Sequence, residues 1–263
     1  MKDVLVTGAY GGMGRATVRE LVGRGFRVFA LDRKVGEPED GVIPVCADIT
    51  DEGEVARAVA TVSQHTDSLY AVMHFAGIYM LDSLVEMSAE SFRRIMDVNL
   101  YGAFLVNRAV MPLLGRGSRI LITTSELADL DPLPFTGIYA ISKAALDKYA
   151  YSLAMELQLL GISVSVLRAG AVDTGMLGAS TAALDRFCEG TGLYTCNADR
   201  FKRIVDGVEA RHISADRLAG RAVGIIGKRR PAFAYSINRN PLLILLGILP
   251  KRLQLFIIRK ILK

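Results

Sequence analysis

The sequence predicts an α/β chain: a doubly wound parallel sheet with helices on both faces, in a single domain. Three observations carry this expectation. Short apolar runs alternate with longer stretches of helical spacing. The runs are almost continuously apolar, as strands covered on both faces must be. No linker, repeat or low-complexity stretch divides the 263 residues, a length that one large core can fill. Strand–helix–strand crossovers are right-handed, so the pattern winds helices onto both faces of one sheet.

The elements follow in order. DVLVT (3–7) is a short strand that runs into glycine, and GMGRATVRELVGRG (12–25) has helical spacing. RVFAL (27–31) and VIPVC (42–46) are the second and third strands, and DEGEVARAVATVSQ (51–64) is a helix opened by acids, which suit its N-terminus. LYAVMHF (69–75) and RILITT (119–124) are buried-strand runs on either side of a long helical stretch at 88–114. A helix at 138–160 leads to the strand ISVSVLRA (162–169).

Composition narrows the function. Hydrophobic residues make up 51% and charged residues 22%, a globular balance rather than a disordered one. Cys46, Cys188 and Cys196 are too few for a disulfide framework and have no matching histidines for a zinc site. They read as reduced cytoplasmic thiols, and no metal is expected. The first strand begins so early that it leaves no room for a signal peptide. The net charge of +5 has an uneven origin. From Lys228 onward there are nine Lys or Arg and no Asp or Glu, so the chain before it is net acidic. A short greasy tail with the basic charge argues against nucleic acid and towards a membrane surface.

Two motifs carry chemistry. TGAYGGMG (7–14) sets glycines 8, 12 and 14 between a strand and a helix. Gly8 permits the tight turn, Gly12 lets a pyrophosphate approach the backbone, and Gly14 allows close helix packing, with the helix N-terminus facing the anion. Asp32 ends the second strand, where a carboxylate bonds ribose hydroxyls and repels a 2′-phosphate. This favours NAD, although Arg33 and Lys34 keep NADP possible. Asp48, at the end of the third strand, can accept from an adenine amino group. The second motif is YAISK (139–143). One helical turn puts Tyr139 and Lys143 side by side, either as an ordinary surface pair or as a tuned phenol.

Taken with FAG (75–77), DVNLYG (97–102), ITTSE (122–126) and RAGAVDT (168–174), these motifs make the chain resemble the short-chain dehydrogenase/reductase family over about 2–235. The resemblance implies a Rossmann-type domain over 1–237 and hydride transfer between a nicotinamide and an alcohol or carbonyl. It implies Tyr139 as proton donor or acceptor, with Lys143 and the positive ring of the oxidised nicotinamide together lowering the phenol's pKa, and Lys143 also bonding the ribose. Ser125 would hold the substrate oxygen, and Asn99 would anchor a water beside Lys143. It places Thr7, Gly8, Gly12, Met13, Gly14, Asp32, Arg33, Asp48, Ile49, Ala76, Gly77, Tyr139, Lys143, Val172 and Thr174 around the cofactor.

The chain departs from the family pattern in three places. HFAG stands where NNAG is common, so His74 is expected to be a packed strand-end residue. Ala169-Gly170 stands where Pro-Gly is common. Ser125 precedes Tyr139 by fourteen residues, one more than usual, which would hand the role to Glu126, a poor donor to an alkoxide. Ser125 is the better chemical choice, with one extra residue in LADLDPLPF (127–135).

Substrate choice falls to 126–135 and to a helical flap over about 175–213. Met176, Leu177, Leu184, Phe187, Leu193 and Tyr194, facing Leu127, Leu130, Leu133 and Phe135, would make an apolar pocket for a steroid, a retinoid-like molecule or a long-chain acyl compound. The same flap residues could instead pack on the body. The extension at 238–263 is too short to span a bilayer. Its last segment mixes Lys251, Arg252, Arg259, Lys260 and Lys263 with apolar residues, as an interfacial helix does. A subunit contact is the alternative use of those leucines, and a purely intrachain role the next. Homodimers or homotetramers through the helices at 88–114 and 138–160 fit the family. The competing functions are a non-catalytic NAD(H)-binding sensor, a reductase of a small polar carbonyl, and a sugar-nucleotide epimerase or lyase.

Overall fold

The computed structural model describes residues 1–208 and 212–263, and the side chains of all of these except 175–181, 199 and 204–208. The chain opens with β1 (Lys2–Thr7), α1 (Gly12–Gly23), β2 (Phe26–Asp32), β3 (Val42–Cys46), α2 (Glu52–Ser63) and β4 (Ala71–His74). Asp51 starts α2 by accepting a hydrogen bond from Glu54 N at 2.8 Å. The predicted stretch at 88–114 is α3 (Ala89–Met96), a π-helical turn at Asp97–Tyr101, and α4 (Gly102–Val110), with Ser88 as the N-cap of α3. β5 (Arg119–Ser125), α5 (Gly137–Leu157) and β6 (Ser163–Ala169) follow, close to their expected bounds.

The sheet has seven strands, all parallel. Its first six run in the order β3-β2-β1-β4-β5-β6. Beyond them come β7 (Val172–Asp173), α6 (Gly175–Gly190), α7 (Thr195–Val208), β8 (Ile213–Ser214), α8 (Ala215–Ile226) and β9 (Ala234–Ile237). β9 is the seventh strand and pairs with β6 at the edge. The sequence pattern missed it because only four residues pair, and none of them is fully buried. The chain ends in α9 (Pro241–Ile248) and α10 (Lys251–Leu262). Asn240 caps α9 and Pro241 sits in its first turn, where a missing N–H costs nothing. Pro250 separates the two helices.

Strand alternation feeds two cores. Leu5, Phe29, Val72 and Ile120 face α2, α4 and α5, while Val6, Val28, Met73 and Leu121 face α1 and α8. A third, smaller core joins Leu184, Phe187, Ala198 and Phe201 of α6 and α7 to Leu262 of α10, with Leu133 and Phe135 packed against it. The phosphate-loop end of β1 and the ends of β4, β5 and β6 therefore open into one crevice at the carboxyl edge of the sheet, where ligands of such sheets bind.

Candidate active site

The crevice has two compartments. The larger, about 810 Å³, runs from the β1–α1 loop to the end of β3 and is lined by Gly8, Gly12, Met13, Gly14, Asp32, Arg33, Asp48, Ile49, Ala76, Gly77 and Thr174, among others. Gly8 has φ = +66°, and a Cβ there would lie 2.5 Å from Ala76 N. A Cβ on Gly14 would lie 2.0 Å from Gly8 O. Both positions exclude side chains, which keeps the backbone N–H groups open to an anion. The Asp32 carboxylate accepts from Tyr10 N at 3.0 Å and Arg33 N at 2.8 Å, which fixes it at the strand end.

Arg33 does not turn away into solvent alone. Its guanidinium lies 3.8 Å from Asp48. Burial opposes the Asp48 charge, but bonds from Thr50 and the nearby Arg33 hold its carboxyl below the ordinary value. The Tyr10 hydroxyl lines the same compartment, buried and without a hydrogen-bond partner in the structure. A glycine cradle, a fixed carboxylate and an unsatisfied hydroxyl together fit a dinucleotide. Thr7 is the exception among the residues assigned to this compartment. It does not line it but stands behind, with Oγ1 3.5 Å from His74 Nδ1 and from Ala76 N.

The smaller compartment, about 210 Å³, is lined by Ser125, Tyr139 and Lys143, and by Val172 from β7. It shares Met13, Phe75, Gly77, Tyr79 and Thr174 with the larger one. The Ser125 hydroxyl stands near enough to the Tyr139 phenol to oppose a rise in its pKa. Glu126 turns away from that pair, and its Oε2 accepts from Asn240 N at 2.6 Å. The extra residue before Tyr139 therefore leaves the serine at the phenol.

Lys143 Nζ lies 5.8 Å from the Tyr139 ring centre and donates to Thr123 O at 3.4 Å. Burial pushes this lysine down to about 8. Burial also raises the Tyr139 phenol above its ordinary value, and Tyr79, whose ring centre is 4.9 Å away, raises it further, while the neighbouring Ser125 hydroxyl opposes both. The expected acidic phenol rests on Lys143 together with the positive nicotinamide ring of a bound oxidised cofactor. In the protein by itself desolvation dominates, and the proton stays on the ring.

Asn99 sits in the π-helical turn, an irregularity often found at functional sites. It is buried and lines neither compartment. Its Nδ2 donates to Ile78 O and Ser142 Oγ, both at 3.0 Å, and its Oδ1 accepts from Ile78 N at 2.8 Å. A Cβ on Gly77 would lie 3.2 Å from Asn99 Oδ1 and 3.3 Å from Lys143 Nζ, so both groups converge on that glycine. His74 is a packed strand-end residue. Its Nε2 is 2.9 Å from Asn107 Oδ1, and burial pushes it down to about 4.

The pocket wall differs from expectation. Leu127 and Leu133 line the smaller compartment, but Leu130 and Phe135 do not. Leu184 and Phe187 pack into the third core, joined by Tyr194, because α10 supplies an apolar surface there. Leu193 is exposed. Met176 and Leu177 lie outside the described side chains. Asn240 and Leu243 of the tail also line the compartment, a placement no motif signals.

Comparison with known proteins agrees with this fold. The short chain dehydrogenase family model matches residues 2–185. The NADPH-dependent 1-acyldihydroxyacetone phosphate reductase of Schizosaccharomyces pombe is 31% identical over 179 residues, 66% of this chain and 60% of that protein, so the match spans less than two thirds of its length. The 3-ketodihydrosphingosine reductase of Bacteroides thetaiotaomicron is 26% identical over 239 residues, 89% of this chain and 87% of that protein. A short chain dehydrogenase from Burkholderia cenocepacia, solved in complex with NADP, superposes with a TM-score of 0.75 at 23% identity and full coverage of both chains. The chain belongs to the short-chain dehydrogenase family, whose members are NAD(P)-dependent oxidoreductases.

Proposed function

We propose that the chain transfers a hydride between a nicotinamide cofactor and a lipophilic secondary alcohol or ketone, with Tyr139 as the proton-transfer group. The observation that carries this is the convergence of Ser125, Tyr139 and Lys143 on one largely apolar cavity that shares walls with the glycine-lined compartment. The bound cofactor supplies or accepts the hydride. Ser125 and Tyr139 hold the substrate oxygen, and a phenol that keeps its proton is suited to give it to a carbonyl as negative charge develops there. Lys143, buried behind the phenol, replaces that proton, and Asn99 keeps the lysine and Gly77 in register. Phe75, Tyr79, Leu127, Leu133 and Leu243 keep bulk water from the reacting carbon.

Asp32 favours NAD, since its carboxylate stands at the strand end where a 2′-phosphate would meet it. Steroid, retinoid-like and long-chain acyl compounds all suit the apolar walls, and the two curated relatives are named for lipid carbonyl substrates. The catalytic unit is 1–237, and 238–263 is an extension that roofs the cavity and meets a membrane surface. Exposed Phe92, Tyr101, Phe104, Ile141, Tyr151 and Met155 on α3, α4 and α5 suit a homodimer or homotetramer contact.

The test is a panel of alcohols and ketones run with NAD(H) and NADP(H) in parallel. Tyr139→Phe should lower turnover of any active compound by at least about 100-fold while nicotinamide binding persists. Unchanged turnover would refute the assignment.

A further inference from the structure

The cavity at Tyr139 holds about 210 Å³. Small-molecule sites usually hold about 300–1,000 Å³, so a lipophilic substrate needs more room than this cavity gives. A second hollow of about 560 Å³ has Leu133 as a wall in common with it. The hollow runs between the main body and the tail. Val85, Pro134 and Phe135 form one side, and Leu246 of α9 with Leu255 and Ile258 of α10 the other. Among the described residues that line it there is no Asp or Glu, and its charged side chains are Arg259 and Lys263.

The hollow is continuous with the third core, yet that core leaves it unfilled. Leu255 and Val85 remain 72% and 71% exposed there. Side chains this apolar and this exposed on facing walls suit a chain of methylenes laid between them.

We propose that the hollow binds the alkyl chain of a single-chain lipid substrate whose ketone or alcohol carbon lies against Ser125 and Tyr139. This rests on the oxidoreductase reading and narrows its substrate class. The chain leaves the inner cavity over Leu133 and runs between the 132–135 segment and α9 to α10. The polar end is innermost, where Ser125, Thr136 and Glu126 line the cavity, and the chain end lies on the outer, tail side. A rigid fused-ring substrate would fill only the inner compartment and gain nothing from the outer one.

The experiment measures kcat/KM for reduction of a methyl ketone series, octanone, dodecanone and hexadecanone, presented in neutral detergent micelles. The expected result is a rise of at least about tenfold from the shortest to the longest, because each buried methylene adds to binding. Leu246→Trp, which fills the hollow from the tail, should lower the hexadecanone-to-octanone ratio by about tenfold. Val85→Trp, which fills it from the body, should do the same if the first variant folds poorly. A flat series, or a ratio untouched by both variants, overturns the alkyl-chain site while leaving the oxidoreductase reading intact. No reduction of any member at any length, with any nicotinamide, overturns both.

Discussion

At Tyr139 two burial effects both disfavour charge and so move two pKa values in opposite directions. Taking the phenol from water raises it, and taking the Lys143 ammonium from water lowers it to about 8. The pair is therefore set for proton donation, and Lys143 is the group that titrates near neutrality. Its sign is simple: the lysine holds its proton below about 8 and loses it above. Ketone reduction should be flat in kcat/KM at lower pH and fall by about tenfold per pH unit beyond about 8. Lys143→Arg, which cannot deprotonate, should carry the plateau to higher pH even if its height drops. A wild-type profile still flat near pH ~10 would remove Lys143 from the proton path. The residues of this centre were legible in the sequence because YAISK fixes them one helical turn apart. The protonation balance was not, because burial depends on Tyr79 and on walls supplied by distant segments.

Among elements, the sheet and its helices were legible because buried parallel strands leave long apolar runs. The last stretch was less so. Segments α6, α7 and α10 are each amphipathic, and pattern alone does not say which face meets which. In the structure they meet each other. Leu184 and Phe187 left the predicted pocket for the third core, and Leu243 took a place in the cavity wall. What fixes the tail there is polar. Asp131 binds Lys251 and accepts from Gln254 Nε2 at 2.9 Å, Gln254 also donates to Leu249 O at 2.8 Å, and Asn197 Nδ2 donates to Leu262 O at 2.7 Å. Gln254 is buried at the elbow between α9 and α10, so losing Asp131 leaves its amide short of a partner. Asp131→Ala should accelerate tryptic cleavage at the Lys251–Arg252 elbow several-fold, followed by mass spectrometry of the released tail. Equal cleavage in the two proteins would show that Asp131 does not hold the elbow.

On the scale of the whole molecule, charge and greasiness are segregated to one end. The tail was expected to use its leucines on a membrane, on a neighbouring subunit or within the chain. The structure gives the last of these one face: Leu243, Gln254 and Leu262 are buried against the body. The other face keeps Leu242, Leu245, Ile248, Leu253, Phe256 and Ile261 exposed, and Arg252, Arg259 and Lys260 are exposed on the same segment. No helix among the described residues is long and apolar enough to cross a membrane. An apolar face with cations alongside suits the interface of an anionic bilayer, where each basic side chain adds about 1 kcal/mol. A subunit contact would bury the same leucines but would need acidic side chains of the neighbour set beside these cations. Because the inner face of the tail is built into the fold, deleting 241–263 tests folding as much as docking. The sharper variant is Phe256→Ser with Lys260→Glu, which changes only the outer face. The intact protein should sediment with phosphatidylglycerol vesicles at low salt and be released at high salt, as screening demands. The double variant should remain in the supernatant with an unchanged melting temperature. Intact protein that stays in the supernatant at low salt would end the membrane assignment, and a shift to a smaller oligomer in the variant would give the outer face to a neighbouring subunit.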